Sequence, residues 1–278
     1  MVSDAGKDDE RVSDPSILSL IAEIGAVGVR MTELDAAEGA AGNISVFLHS
    51  LDQLPNYAEK RGMIELPWAA PELMGGWLLV TGAGRRLRDV ATSPATTICW
   101  LHIQRGGTQA MLFAGADLRP TSELNSHLAV HVDQVKQRNL RRHVVLHAQP
   151  PYLTYLSHIE RYGETRALNR RLLRWQAETI IEFPEGIAMV PFEVPSSHEQ
   201  AEATMFAMCE HRAVVWQRHG IVTRADGNIT KAGDLVEYAE AAARYEYLNL
   251  QAGEPSGGLS DEQMRLICER LGVKQSIF

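Results

Sequence analysis

Four short β-rich runs follow one another in the first half of the chain: NISVFL (43–48), GWLLVTG (76–82), ATTICWLHIQ (95–104) and TQAMLFA (108–114). Each is bounded by glycine, proline or charge, and no helical segment is read between them. With no helix read between them the runs look antiparallel, since parallel neighbours are usually joined through a helical crossover. RGGT (105–108) supplies a hairpin turn between the last two runs. This arrangement points to a largely antiparallel sheet.

Helical patterns surround these runs. Ile17, Leu18, Ile21, Ile24 and Val27 fall at helical spacing after a possible cap at Ser16. TSELNSHLAVHVDQVKQR (121–138) repeats Leu124, Leu128, Val132 and Val135 on one face, with Thr121 or Ser122 as its cap. Helices are also expected over 164–183, from Ser196 or Ser197 to His211, over 231–252 and over 260–272. HVVLHA (143–148), GIAMVPF (186–192) and AVVWQRHGIVTR (213–224, broken at Gly220) read as strands. The expectation from the pattern is one α+β or α/β/α domain over 16–278 with a largely antiparallel sheet, preceded by a disordered, charged tail at 1–15.

Composition narrows the setting. The formal net charge is −8, which argues against nucleic-acid and anionic membrane partners, since phosphate surfaces need clustered Lys and Arg. The three cysteines, Cys99, Cys209 and Cys268, are scattered and suit a reducing cytoplasm rather than a disulfide framework. The first residues lack the apolar core of a signal peptide, and no run approaches the ~20 apolar residues of a membrane span. The expectation is a cytoplasmic protein.

Two of the ten histidines are placed differently from the rest. His147 and His219 each end a run of buried-type strand residues, and each leads into a turn, at Pro150-Pro151 or at Gly220. Strand ends feeding loops are where sites concentrate. A single imidazole there is as readily a core residue held by one hydrogen bond. His127 and His131, four apart on a helix, have a spacing that can grip a metal but read as helix surface. Glu123 lies at a helix start, where the dipole favours an acid. AAGNIS (40–45) and VTGAGRR (80–86) are glycine turns with polar neighbours. They match neither a dinucleotide fingerprint nor a P-loop.

In this order, GNIS (42–45), VTGAG (80–84), RPTSELNSH (119–127), VVLHAQPPYL (144–153), FPEGIAMVPF (183–192) and WQRHGIV (216–222) resemble the class II, zinc-dependent sugar-phosphate aldolases, most nearly their rhamnulose-1-phosphate branch. The resemblance covers about residues 16–252. It implies an α/β fold, a three-layer α/β/α sandwich around a mainly antiparallel sheet, assembled as a homotetramer with active sites at subunit boundaries. It also implies a metal-stabilised enediolate, by which a ketose or ketose 1-phosphate such as L-rhamnulose 1-phosphate is cleaved to a dihydroxyacetone-type ketone and an aldehyde. Carried over, His147 and His219 are metal ligands, and Gln149 stands where the family has a second histidine. Glu123 is the acid/base. Glu178 matches an acid offered to a neighbouring subunit, with Tyr152 as an alternative. Gly42, Asn43, Thr81, Gly82, Thr121 and Ser122 would bind substrate.

Ala40 and Ala83 replace an asparagine and a serine, which thins the phosphate pocket. An amide oxygen is a poorer zinc donor than imidazole, so Mn2+, Co2+ or Mg2+ enters beside Zn2+ as the divalent ion. The same chemistry would serve an epimerase or dehydratase, and the family also includes a non-catalytic interaction domain, the adducin head.

Overall fold

The computed structural model describes residues 16–278; the tail expected at 1–15 lies outside the described residues. Helix α1 (Ile17–Glu33) opens the fold, its first turn closed by Ser16, whose side chain accepts from Ser19 N. Five strands follow: β1 (Asn43–Leu48), β2 (Glu59–Glu65), β3 (Trp77–Thr81), β4 (Ile98–Ile103) and β5 (Gln109–Ala114). Then come α2 (Leu124–Arg138), β6 (Arg142–Ala148), α3 (Pro151–Leu156), α4 (Thr165–Leu172), α5 (Ala177–Glu182) and β7 (Ala188–Val190). The chain ends with α6 (His198–Met208), β8 (Ala213–Trp216), β9 (Gly220–Ala225), α7 (Ile229–Gln251) and α8 (Asp261–Leu271).

The described strands form one sheet in the order β2-β5-β4-β3-β1-β6-β9-β8-β7. Only β7 and β8 pair in parallel; the other pairings are antiparallel. Side chains alternate across each strand, so each covered face receives every second residue. Ile44, Val46 and Leu48 of β1, with Val144, Leu146 and Ala148 of β6, join the core beneath α1 and α7. Phe47 and Val145 point the other way, towards the layer made by α2 and α6. Helices thus lie on both faces of a mainly antiparallel sheet, as expected.

The differences from expectation have physical reasons. β2 was not foreseen. Its sequence, EKRGMIE, is largely exposed and charged, with a register shift at Gly62, as suits an edge strand that must not recruit another chain. The helix expected over 164–183 is two, α4 and α5. From the first turn of α5 the Thr179 hydroxyl donates back to the carbonyls of Leu173 and Gln176, and the break lets the Trp175 indole reach Glu246 on α7, 2.9 Å away. The Pro150-Pro151 turn starts a helix, α3, whose first amides at Tyr152 and Leu153 donate to Glu240, each 2.9 Å away.

At the start of α2 the cap position is taken by Glu123, not by Thr121 or Ser122, and its side chain does not cap. The pair His127 and His131 is not helix surface: the rings are 1% and 0% exposed.

Candidate metal centre

Antiparallel pairing of β1, β6 and β9 decides which side chains meet. Asn43 is opposite His147, and His147 is opposite Val222. Asn43 and His147 both fall on the α2 face, where α2 begins with Glu123. The β8–β9 turn carries His219 back over the end of β6. Glycine at 220 is required by closeness: a Cβ there would lie 2.4 Å from Ala148 O and 3.0 Å from His147 Cε1. Gly42, just before β1, sits at φ +78°, in the left-handed region that glycine enters without a Cβ penalty.

Glu123, His147 and His219 converge so that one ligand atom from each lies within 4.8 Å of the others. Glu123 Oε2 is 3.7 Å from His147 Nε2, and Oε1 is 3.4 Å from His219 Nε2. Both rings are held from behind. His147 Nδ1 donates to Ile221 O at 3.0 Å, which leaves Nε2 as the ring nitrogen directed at Glu123. His219 Nδ1 lies 3.4 Å from the Gln200 amide, itself fixed in the capped first turn of α6. The Trp216 indole packs against His147 and stacks on His219.

Burial displaces the titrations. It lowers His219 to about 4, reinforced by His147, so the ring is neutral at pH 7 with a lone pair to share. Burial would raise Glu123. The adjacent His147, the Asn43 amide (Nδ2 donating to Oε2 at 2.7 Å) and His219 outweigh it, and the carboxyl is held below the ordinary carboxylate range. A shift of this group towards neutrality, which a general base in a low-polarity pocket would show, is not what these neighbours produce. They keep it ionised and able to accept a proton.

The arrangement fits a divalent cation. His147 Nε2 is buried and has no hydrogen-bond partner among the described residues, an orphan that a metal would satisfy. An acidic side chain and neutral imidazoles are the donors such ions take.

Beside this cluster opens a cavity of about 180 Å³ lined by Ala40–Asn43, Gly82–Gly84, Thr121–Glu123, His147 and Gln149. Among the described residues no Lys or Arg lines it. Gly42, Asn43, Gly82, Thr121, Ser122 and Gln149 are therefore brought together around one cavity. Thr81 is not: it is buried, and its hydroxyl accepts from Ile44 N at 3.1 Å, tying β3 to β1. Glu178 is exposed in the first turn of α5 and does not line this cavity within the protomer. Tyr152 lines a different cavity, with Glu240 and Arg244.

Nothing in the local pattern singled out His143 or Gln200, and it placed His127 and His131 on the helix surface. Parity on β1 and β6 was the available signal, since Asn43 and Ser45, and His143 and His147, lie on one face.

The profile of the class II aldolase and adducin N-terminal domain family matches residues 22–247. The chain belongs to this family. Rhamnulose-1-phosphate aldolases of Listeria monocytogenes and Yersinia pestis are each 30% identical to it, over 85% of this chain and 87% of theirs. A sugar-phosphate aldolase of Thermotoga maritima shares the fold at a TM-score of 0.72 with 31% identity, over 86% of this chain and 98% of that one. This family member is a lyase of the class II aldolase type.

Proposed function

We propose that the protein cleaves a ketose 1-phosphate or ketose, of the L-rhamnulose 1-phosphate kind, to a dihydroxyacetone-type ketone and an aldehyde. It would work in the cytoplasm as a homotetramer. The observation that carries this reading is the buried, unpartnered His147 Nε2 facing Glu123, with His219 across the gap. The names of the relatives supply the substrate class.

His147, His219 and Gln149 would hold a divalent ion, with Zn2+ first and Mn2+, Co2+ or Mg2+ compatible with the amide donor. Bound there, the ion supplies Lewis acidity to the oxygens of the ketone. The chain's own residues do the rest. Glu123 takes the proton from the ketone's carbon in the synthetic direction and returns it after cleavage. Gly42, Asn43, Gly82, Thr121 and Ser122 seat the substrate's polar end. Glu178 of a neighbouring subunit handles the proton on the aldehyde oxygen.

Deuterium uptake from D2O into dihydroxyacetone and its phosphate, followed by NMR, tests this without knowledge of the aldehyde. Exchange should need a divalent metal, stop with chelator, and fall about 10²–10⁴-fold in Glu123→Gln while bound metal is retained. Full activity in Glu123→Gln would remove that residue as the base. An epimer as the only product from a ketose phosphate would replace the aldolase reading.

A further inference from the structure

Behind Glu123 a line of buried polar side chains crosses the α2 face of the sheet. Asn43 Oδ1 faces His127 Nε2. His127 Nδ1 is 2.6 Å from Ser45 Oγ, and Ser45 Oγ is 2.7 Å from His131 Nε2. His131 Nδ1 is 2.8 Å from His143 Nδ1. Asn43 is 8% exposed and the other four at most 1%. These links connect β1, α2 and β6, and the catalytic reading uses only Asn43.

The direction of every hydrogen in this line follows from one end. Asn43 Nδ2 donates to Glu123 Oε2, which turns the Asn43 carbonyl, an acceptor only, towards His127. His127 must then carry its proton on Nε2. Its Nδ1 is left as a lone pair that accepts the Ser45 hydroxyl proton. Ser45 Oγ can receive only from His131 Nε2–H. His131 Nδ1 is therefore a lone pair, which accepts from His143 Nδ1–H. The line ends at His143 Nε2, a buried lone pair without a hydrogen-bond partner among the described residues. The opposite setting at Ser45 would turn two acceptors, His127 Nε2 and Asn43 Oδ1, on each other.

The rings can play these parts because they are neutral. Burial lowers His127 to about 4 and puts His131 and His143 well below the usual histidine range.

We infer that His127, Ser45, His131 and His143 form a proton-ordered positioning line that fixes the Asn43 amide and, through it, which oxygen of Glu123 reacts. Oε2 is anchored by Asn43. Oε1, 3.4 Å from His219 Nε2, is left as the oxygen that accepts the substrate's proton. The line is not a proton wire. An amide passes a proton only through its imidic tautomer, so Asn43 interrupts any relay while transmitting orientation. His127 is thus a positioning residue, and this role rests on Glu123 being the base.

Two measurements on the full chain separate this inference from that reading. Histidine 15N spectra of the metal-free protein at neutral pH report tautomers without any turnover. Protons on Nε2 of His127 and His131 and on Nδ1 of His143 are expected; a proton on Nδ1 of His127 overturns the line. The second measurement is the exchange assay on metal-loaded variants. His127→Leu removes the donor to Asn43, whereas His127→Gln can replace it with an amide N–H.

The Leu variant should lose about 10–100-fold in kcat, the cost of a misplaced base, with metal content unchanged. The Gln variant should recover most of that loss. Equal losses in both, or a loss confined to thermal stability, would overturn the positioning role. Wild-type protein with no exchange under any metal would defeat the proposed function alone, and the tautomers would still decide the line.

Discussion

Gln149 is the residue where this chain departs most from the histidine set that the family resemblance implies. Its backbone N donates to Ala36 O at 2.8 Å, and its side chain lines the cavity beside His147. Neighbouring backbone already places position 149 where a donor would point inward. Restoring an imidazole there should therefore strengthen zinc binding. Gln149→His should tighten the zinc Kd by no less than the roughly 10–100-fold that even an outer partner of a ligand is worth. Competition with a chromophoric chelator measures this. An unchanged Kd would place Gln149 outside the ligand set.

The element that matters most is the β8–β9 hairpin, because it delivers His219 over the end of β6. Its closure depends on Gly220 lying against Ala148 and His147. In Gly220→Ala the new methyl carbon would meet backbone oxygen at 2.4 Å, which only a shift of the hairpin relieves. The expected cost is about 1–3 kcal/mol of stability, the range for overpacking, together with weaker metal binding as the two histidines separate. Urea unfolding and metal titration of the same sample check both. Gly84→Ala makes the contrast. Nothing lies within 4 Å of its Cβ position, so only the left-handed φ of +68° is penalised, by roughly 1–2 kcal/mol. Metal affinity should not change. Equal loss of metal in both variants would show that the hairpin contact is not what seats His219.

At the scale of the whole molecule, the buried imidazoles tie stability to pH. His127, His131 and His143 are neutral when folded and titrate normally when unfolded. Between their depressed folded values and about 6.5 the unfolded chain binds more protons, so acid favours unfolding. Their contribution is complete above about 6.5 and is lost as the pH falls towards 4. For His127 alone, a displacement from 6.5 to about 4 is worth roughly 3 kcal/mol at the acid end. The unfolding free energy in urea should already fall between pH 7 and pH 5, above the range where ordinary carboxylates titrate. A flat profile there would mean that the rings are protonated in the folded state.

Local chemistry determined much of this protein. Alternation and turn residues specify most strands, and β1 is NISVFL from end to end. Ser16, Ser197 and Ser260 close helices where their hydroxyls can reach the third amide beyond them. His147, His219 and Glu123 stand out because they occupy strand ends and a helix start, positions that local pattern defines. The polar edge strand β2 carries no such pattern, since solvent faces most of it.

Tertiary structure alone decided the fate of His127 and His131. Four-residue spacing puts them on one face of α2, and only the pairing of β1 with β6 shows that this face is covered by Ser45 and His143. It likewise decided that Thr81 ties two strands together rather than touching a ligand. Glu123 is ionised for the same kind of reason. Its charge state depends on Asn43, His147 and His219, brought from 80, 24 and 96 residues away by sheet register and a hairpin. Periodicity reports which face a side chain takes; the field at that face is set by whatever the fold brings against it.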